Sequence, residues 1–433
     1  MKGTVVNKMK TPTIVIFDIG KTNKKLFLFN ENYEIVYEKS TQFDETTDED
    51  GDPCEDVELL SSWVVDTFQE ISQNSKFEIK ALNFSTYGAS FVHLNSEGKV
   101  IAPLYNYLKS YSETLKKQFY DTYGGEANFT RKTASPVLGN LNSGMVLYRL
   151  KYEKPALFAQ IKHSLHLPQY ISFLFTEQYF SDITSIGCHT NLWDFEKNQY
   201  HEWVEKEGII EKLAPLNTQS FTPSLSHSLN IGTGLHDSSA ALIPYLATFK
   251  GQKFVLISTG TWCINLNPFN HTPLTDEELQ YDCLAYIQYT GEPVKASRLF
   301  AGYEHEQQTK RLSEHFHKPM DYYKTVKFNS QLIENQNDNS YEGTYHRLII
   351  DLVNQQIIST KLVLNDSSVT KLFVDGGFGK NEIYMNLLAK AFPEMEVYAA
   401  SVAQATALGA ALAIHQDWNM KVIPQNLIDL KRY

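Results

Sequence analysis

Two short turns that contain glycine and threonine each lie between a pair of apolar strands, and both could bind phosphate. The first is TIVIFDIGKTNKKLFLF at residues 13–29, and the second is FVLISTGTWCINLN at residues 254–267. Such a hairpin turn directs several backbone N–H groups at one point, which suits an anion. Because the two hairpins begin near the start of each half, they predict a duplicated fold that holds one polyphosphate from both sides. This favours phosphoryl transfer, which depends mostly on positioning and charge neutralisation.

An aspartate stands directly before the first turn. Asp18 ends the strand that leads into it, where a carboxylate could hold Mg²⁺, usually through water, because Mg²⁺ sheds its waters reluctantly. An aspartate that merely caps the turn is the alternative. Lys25 alternates with apolar neighbours in the returning strand and could reach a phosphate oxygen. Lys21 and Lys24 lie in the turn itself, where we expect them to be solvated.

The second turn consists of Gly260 followed by Thr261. The glycine would allow a phosphate to approach the backbone closely, and the threonine hydroxyl offers one more donor. A hairpin turn without any ligand explains the same two residues equally well, so the pair taken alone leaves both interpretations open.

A third glycine-rich stretch, FVDGGFGKNEIYMN at residues 373–386, has the pattern of a strand, a turn and the start of a helix. It is not a P-loop, because Lys380 is followed by Asn381 rather than by serine or threonine, and it does not match G-x-G-x-x-G. The pair Gly376 and Gly377 would instead admit a flat ring or a ribose against bare backbone. Asn381 is then placed to hydrogen-bond a nucleoside.

The best candidate for a general base is Asp237, in the segment GLHDSS directly after His236. At a seam between domains, an aspartate can orient a sugar hydroxyl and accept its proton late in a loose transition state, an effect worth roughly 10²–10⁴ in rate. An ordinary helix N-cap is the alternative, and sequence spacing alone favours the N-cap.

Composition limits the remaining possibilities. The chain has 433 residues, 42% of them hydrophobic, which is longer than a domain with a single hydrophobic core. The length therefore predicts two domains. The formal net charge of -11 disfavours a nucleic-acid duplex or an anionic membrane as partner. The four cysteines lack the C-x-x-C spacing of a zinc or redox site, and histidines such as His166 and His189 lack ligand spacing, so we expect them on the surface or in the core. No apolar run approaches the roughly 18 residues of a membrane span, and the expected location is the reducing cytoplasm.

The elements that must position these residues alternate between strands and helices. Three strands within residues 13–40, a helix from Val57 to Ile71 with one apolar face, and a strand from Ile79 to Thr86 predict a mixed sheet with helices on its faces. The acidic, turn-rich segment from Thr46 to Glu58 is expected to be a solvated loop or arm.

The second half of the chain repeats this plan. The short polar stretch FKGQK marks the boundary, so the sequence predicts an N-terminal domain at residues 11–247 and a C-terminal domain at residues 248–433. The second domain opens with the hairpin at Phe254 and continues with a long helix from about Thr344 to Leu364. It closes with the helix VAQATALGAALAIHQ, whose alanines and glycine make it thin enough to pack close to a neighbour.

The order of these motifs resembles the FGGY family of carbohydrate kinases, within the actin-like ATPase superfamily, over nearly the whole chain. FDIGKTNKK is similar to the first phosphate motif, STGTW to the second, VDGGFGKN to the adenosine motif, GLHDSSAAL to the segment with the catalytic aspartate, and QATALGAALA to the helix that closes the nucleotide domain. The resemblance implies an α/β fold of two actin-like (ribonuclease H-like) domains, with mixed β-sheets flanked by helices and an active-site cleft between them. It implies Mg²⁺ at Asp18, Asp237 as general base, and ATP bound by Gly20, Thr22, Asn23, Lys25, Gly260, Thr261, Gly376, Gly377 and Asn381.

Within the family, the pair His236–Asp237 and the tryptophan of STGTW look most like rhamnulokinase and related deoxyketose kinases. The loop STYGAS resembles the sugar loop of those kinases. On this resemblance the sugar pocket is lined by Tyr87, Gly88, Ser90 and His236.

The sequence also departs from the family pattern. Ser90 stands at the position of the sugar-binding aspartate, and YNYLKS at residues 105–110 lacks the aspartate and arginine of the usual W/Y-x-D-x-R motif. Lys21 replaces a small residue, and Gln404 stands where glutamate is common. Losing a carboxylate acceptor should cost hydrogen bonds to sugar hydroxyls, roughly 0.5–1.5 kcal/mol each. Rhamnulose is therefore one candidate among related ketoses and polyols.

The sequence thus predicts an enzyme that uses ATP and Mg²⁺ to phosphorylate a hydroxyl of a small sugar, with rhamnulose-, fuculose- or xylulose-like ketoses as candidates and a homodimer as one open oligomeric state. An actin-like ATPase that acts as a chaperone or filament subunit is an alternative, which needs no sugar loop and would form filaments with ATP. A sensor that has lost catalysis is a second alternative, which would bind sugar without releasing ADP.

Overall fold

The computed structural model describes residues 10–88, 90–217, 219, 221–223, 229–335, 337–364 and 368–433. By packing, the chain divides into two compact units. The first holds the chain up to Ala247 together with Ile287–Gly291 and Gln404–Gln425, and the second holds the rest. The domain ranges 11–247 and 248–433 stay a prediction. The two packed units differ from these ranges, because two segments beyond residue 248 pack with the first unit.

Strands and helices are both distributed along the whole of the described residues. The strands are β1 (Thr11–Ile19), β2 (Lys24–Asn30), β3 (Ile35–Thr41), β4 (Thr46–Thr47), β5 (Pro53–Cys54), β6 (Phe77–Thr86), β7 (Phe91–Leu94), β8 (His163–His166), β9 (Trp193–Asp194), β10 (Gln199–Tyr200), β11 (Phe221–Pro223), β12 (Asn230–Gly232), β13 (Leu235–His236), β14 (Phe254–Thr259), β15 (Cys263–Asn267), β16 (Cys283–Ile287), β17 (Pro293–Leu299), β18 (Lys371–Gly376), β19 (Glu396–Ser401) and β20 (Asp429–Arg432). The α-helices are α1 (Val57–Ser72), α2 (Glu113–Thr122), α3 (Glu126–Thr133), α4 (Ser143–Glu153), α5 (Pro155–Gln160), α6 (Leu167–Thr176), α7 (Ile183–Ile186), α8 (Glu202–Lys206), α9 (Asp237–Thr248), α10 (Asp276–Gln280), α11 (Ala301–His315), α12 (Ser330–Glu334), α13 (Tyr341–Leu364), α14 (Glu382–Ala391) and α15 (Ala405–Ala413).

The first unit is built on a mixed sheet. Within the described residues its strand order is β11-β12-β6-β1-β2-β3, and β13 also pairs with β6. Strand β1 runs antiparallel to β2 and parallel to β6. Residues 14–17 of β1 are fully buried, which is expected for a central strand with both faces covered. The predicted three-strand meander and mixed sheet are confirmed.

The second unit repeats the arrangement around its own hairpin. Its sheet has the order β16-β17-β15-β14-β18-β19-β20 in the described chain. Strand β14 is antiparallel to β15 and parallel to β18, as β1 is to β2 and β6. Two units with mixed sheets and flanking helices therefore confirm the predicted α/β fold class and the predicted repeat of one plan.

Helix α15 packs very closely against α9. A Cβ built on Gly409 would lie 1.9 Å from the carbonyl oxygen of Ala240, so a glycine is required at this contact. The expectation of a thin, closely packed last helix is confirmed. The helix belongs to the first unit, however, and not to the nucleotide domain that the family resemblance implied.

Candidate active site

Two aspartates of the first unit, Asp18 and Asp237, interact electrostatically and both have a raised pKa. Asp18 lies near the end of β1, and Asp237 is the first residue of α9. Burial raises the pKa of each carboxyl to about 6, and the charge of Asp237 adds to the rise at Asp18. The two carboxylates are therefore within electrostatic reach of each other. The Asp237 side chain is 35% exposed, so a substrate hydroxyl can reach it.

The first turn of α15 supports Asp18 from one side. Thr406 Oγ1 donates a hydrogen bond of 2.8 Å to Asp18 Oδ2. Lys25 Nζ donates to Gln404 Oε1 at 3.4 Å, and its charge partly offsets the raised pKa of Asp18. Thr406 was not predicted from the sequence. Its signal was its position two residues after Gln404, where the chain departs from the family pattern.

Asp237 contacts the neutral imidazole of His236. His236 Nε2 lies 3.2 Å from Asp237 Oδ1, and burial lowers the pKa of the histidine to about 4. Asp237 Oδ1 also accepts the N–H of Ser238 at 2.6 Å. An N-cap carboxylate normally binds the second or third N–H of the helix, so this geometry differs from the N-cap alternative.

The predicted sugar loop lies against the same histidine. A Cβ built on Gly88 would lie 2.8 Å from His236 Nε2 and 3.4 Å from Cys188 Sγ, so the loop backbone touches both side chains. Ser90 is buried, and its carbonyl accepts the N–H of Leu167 at 3.0 Å. The structure thus brings Gly88 and His236 together beside Asp237, while the sugar-binding roles of these residues stay predictions.

Tyr87 is also buried, but its hydroxyl is already engaged. It donates to Glu55 Oε2 at 2.5 Å. A neighbouring aromatic residue, Tyr107, is half-buried, and its ring centroid lies 6.1 Å from that of Tyr87. Burial and the charges of Asp237 and Glu45 raise the pKa of Tyr107. Tyr107, in the divergent motif YNYLKS, is thus a candidate site residue that the sequence reasoning missed.

The first phosphate turn closes as expected, with one correction. The N–H of Gly20 donates to the carbonyl of Asn23 at 2.9 Å, and Thr22 and Asn23 are exposed. Lys24 was expected to be solvated, and this was wrong. It is 2% exposed, because its ammonium lies 2.5 Å from the buried Glu55 Oε1 and also donates to a carbonyl of the turn.

The acidic segment Thr46–Glu58 is mostly exposed, as expected, but three of its aspartates are paired rather than simply solvated. Lys109 Nζ lies 2.5 Å from Asp48, 2.9 Å from Asp50 and 2.8 Å from Asp52, and the Asp48 side chain is fully buried. Lys109, from the YNYLKS motif, therefore fixes the acidic segment in place through ion pairs with these three aspartates. The charge run was misinterpreted because its counterion lies about 60 residues away in the sequence.

A separate cavity of about 510 Å³ lies within the second unit, a volume that suits a small organic ligand. Gly260, Gly377 and Asn381 line it, as do three lysines, Lys324, Lys327 and Lys380; Thr261 and Gly376 are not among the lining residues. The remaining lining residues are Thr259, Gly302, His305, Tyr323, Val326, Tyr345, Phe378 and Glu382. Three of the predicted nucleotide-binding residues thus share one pocket.

Asn381 shapes this pocket through bonds within the protein. Its Oδ1 accepts the N–H groups of Ile383 at 3.0 Å and Tyr384 at 3.1 Å, and its Nδ2 donates to the Tyr345 hydroxyl at 2.8 Å. It is thus the N-cap of α14. A direct hydrogen bond from Asn381 to a nucleoside stays a prediction.

Gly377 offers a direct test of this pocket. A Cβ there meets nothing within 4 Å, and its φ of -62° suits any residue. We expect Gly377→Leu to intrude into the cavity and raise the KM for ATP roughly 5–150-fold, since overfilling a site costs about 1–3 kcal/mol. Steady-state kinetics would measure this, with Gly377→Ala as the small control. An unchanged KM for ATP in the leucine variant would contradict the assignment.

Comparisons with known proteins identify the family. The FGGY family of carbohydrate kinases, N-terminal domain, matches residues 13–239, and the carbohydrate kinase FGGY, C-terminal domain, matches residues 251–338. A carbohydrate kinase from Novosphingobium aromaticivorans superposes with a TM-score of 0.81 at 21% identity, over 98% of this chain and 94% of that one. A ligand-bound xylulose kinase from Lactobacillus acidophilus superposes with a TM-score of 0.79 at 16% identity, over 98% and 93%.

A curated relative is similar in sequence as well. The rhamnulokinase of Mannheimia succiniciproducens is 23% identical over 285 residues, which is 61% of this chain and 55% of the relative. The chain thus spans about half the length of this relative. The fold is that of a two-domain carbohydrate kinase. The chain belongs to the FGGY family of carbohydrate kinases, as its sequence motifs predicted. No helix in the described part is long and apolar enough to cross a membrane.

Proposed function

We propose that this chain transfers the terminal phosphoryl group of ATP to a hydroxyl of a small, uncharged ketose or polyol, with Asp237 as the general base. The observation that carries the proposal is the pair of aspartates in the first unit. Both carboxyls have a pKa of about 6, so both are ionised near neutral pH while remaining able to take up a proton. Membership of the FGGY family supports the same reaction class.

The carboxylates divide into two roles. Asp237 is partly exposed beside His236 and Gly88, so it would orient the substrate hydroxyl and accept its proton. Asp18 has Thr406 and Lys25 as neighbours and fits the Mg²⁺ site that the family implies. A cation there would offset the mutual repulsion of the two carboxylates and neutralise charge on the phosphates.

The nature of the sugar follows from the groups around Asp237. His236 is neutral because burial lowers its pKa, and Tyr107 is an uncharged phenol. Ser90 replaces an acidic residue of the family pattern. These groups donate and accept hydrogen bonds without a net charge, which favours an uncharged polyhydroxy substrate over a sugar acid. The rhamnulokinase relative makes deoxyketoses the first candidates.

A coupled assay for ADP release, run over ketoses, deoxyketoses, polyols and sugar acids, tests the proposal. We expect turnover with one or a few uncharged sugars and none with sugar acids. Sugar binding without ADP release would instead indicate a sensor, and ATP-dependent sedimentation of filaments would indicate the actin-like alternative. ADP release only with a sugar acid would overturn the assignment of the substrate class.

The raised pKa of Asp237 predicts a pH profile. We expect kcat/KM for the sugar to fall at least about tenfold for each pH unit below about 6, because a protonated base cannot accept a proton and Asp18 takes up a proton in the same pH range. Thermal melts in the same buffers are the control. A carboxyl whose pKa is higher in the folded state binds protons better when folded, so the contributions of Asp18 and Asp237 to stability rise as pH falls from about 6 towards 4. Activity that stays flat down to pH 5 would contradict the role of Asp237.

A further inference from the structure

We propose that Cys188, His189 and His236 form a binding site for Zn²⁺ in the first unit. All three residues are buried, and one ligand atom from each lies within 4.8 Å of the others. Their spacing in the sequence gave no sign of this, because His236 follows the other two by nearly fifty residues. The fold assembles the set by packing β13 beside the short turn that follows α7.

The orientation of His189 is that of a metal ligand. Its Nδ1 lies 3.0 Å from the carbonyl oxygen of Leu141, so this nitrogen carries the proton and donates. Nε2 then holds the lone pair, which is the usual tautomer of a histidine that binds a metal. Its own carbonyl accepts from Asn142 Nδ2 at 2.8 Å, which fixes the residue from a second side.

Cys188 and His236 converge on the same point. Cys188 Sγ and His236 Nε2 both lie against Gly88, at 3.4 and 2.8 Å from the position of a Cβ there. Asp237 Oδ1 lies 3.2 Å from His236 Nε2 and could supply a fourth ligand atom. One sulfur, two imidazole nitrogens and a carboxylate oxygen form a donor set that suits Zn²⁺, whereas Mg²⁺ prefers oxygen alone.

Binding would require small adjustments, a shift of the His236 proton from Nε2, where it faces Asp237, to Nδ1, and the release of one proton from Cys188. Zn–S distances of about 2.3 Å and Zn–N distances of about 2.0–2.1 Å would draw the three side chains closer together. The Cys188 S–H bond breaks as the S–Zn bond forms, and the proton leaves to water. Affinity therefore rises with pH.

The site has a consequence for catalysis that depends on the proposed function. A cation held by His236 next to Asp237 would occupy the place of the sugar hydroxyl. Asp237 would then bind the cation and could not accept the proton of the sugar. Zn²⁺ would then inhibit competitively with the sugar, and a chelator that is selective for Zn²⁺ over Mg²⁺ would restore activity. The same pocket would thus bind either a sugar or a thiophilic metal.

Titration of the metal-free full chain with Co²⁺, followed by displacement with Zn²⁺, tests the site without any substrate. We expect one equivalent of Co²⁺ to produce a thiolate-to-cobalt charge-transfer band. Cys188→Ser should abolish the band, and Cys188→Ser and His189→Gln should each weaken binding at least about tenfold. The matched control is Cys283→Ser, which alters a buried cysteine of the second unit and should keep the band.

Circular dichroism and thermal melts would establish that each variant is folded. No band in the wild type, or a full band in folded Cys188→Ser, would overturn the site. The experiments distinguish failure of the proposed metal site from failure of the proposed kinase activity. A chain that binds Co²⁺ but phosphorylates no sugar would retain the metal site and lose the proposed function, and an active kinase that binds no Co²⁺ would do the reverse.

Discussion

Asp237→Asn should lower kcat for the true sugar by roughly 10²–10⁴, with little change in the KM for ATP. The amide keeps the shape of the carboxylate and can still hydrogen-bond, but it cannot accept the proton of the sugar hydroxyl. The Asp237 side chain is partly exposed, so the substrate hydroxyl can contact it directly and the loss should fall on the chemical step. Steady-state ADP release at saturating ATP measures it directly.

Asp56→Asn is the matched control for this experiment. Asp56 is an ordinary N-cap, whose carboxylate accepts the N–H groups of Glu58 at 3.0 Å and Leu59 at 2.9 Å at the start of α1. Asparagine caps helices as well as aspartate does, so this variant should keep full turnover. If Asp237→Asn also turns over at nearly the wild-type rate, then Asp237 does not act as the general base and the proposed mechanism is wrong.

The sequence predicted features that arise within a short stretch of chain. The apolar runs on either side of the glycine turns at residues 13–29 and 254–267 predicted both hairpins, and the spacing of apolar residues predicted α1. The small residues of the last helix indicated its close packing before its partner in α9 was known. These predictions succeeded because each depends on neighbours a few residues apart.

Features that depend on distant partners could not be predicted in this way. The charge of Lys24 was visible in the sequence, but Glu55, which explains its burial, lies about thirty residues further on. Lys109 and the carboxylates of the acidic segment are a second case. A pattern of residue types shows where a charge stands and not what it contacts, so solvation was the natural expectation for both. Only the fold reveals the pairing.

The buried pair Lys24–Glu55 should matter strongly for stability. The two side chains are 2% and 4% exposed, and their charged atoms are 2.5 Å apart. Glu55→Ala would leave the ammonium of Lys24 buried without its counterion, which we expect to lower the free energy of unfolding by about 3–5 kcal/mol. Urea unfolding would measure this. The exposed pair Lys80–Glu78 is the control, and Glu78→Ala should cost no more than about 1 kcal/mol.

A double variant separates the cost of an unpaired buried charge from the loss of the hydrogen bonds that Lys24 and Glu55 make. Lys24→Met combined with Glu55→Leu removes both charges and should recover most of the lost stability, since apolar side chains of similar size often replace a buried ion pair at little cost. It cannot restore the acceptor for the Tyr87 hydroxyl, nor the bond from Lys24 to the carbonyl of Lys21. Glu55 contacts both Lys24 and Tyr87, so it links the predicted phosphate turn to the predicted sugar loop. We therefore expect the double variant to be stable but to show a raised KM for the sugar. Normal sugar kinetics in a restored fold would mean that Glu55 contributes stability alone.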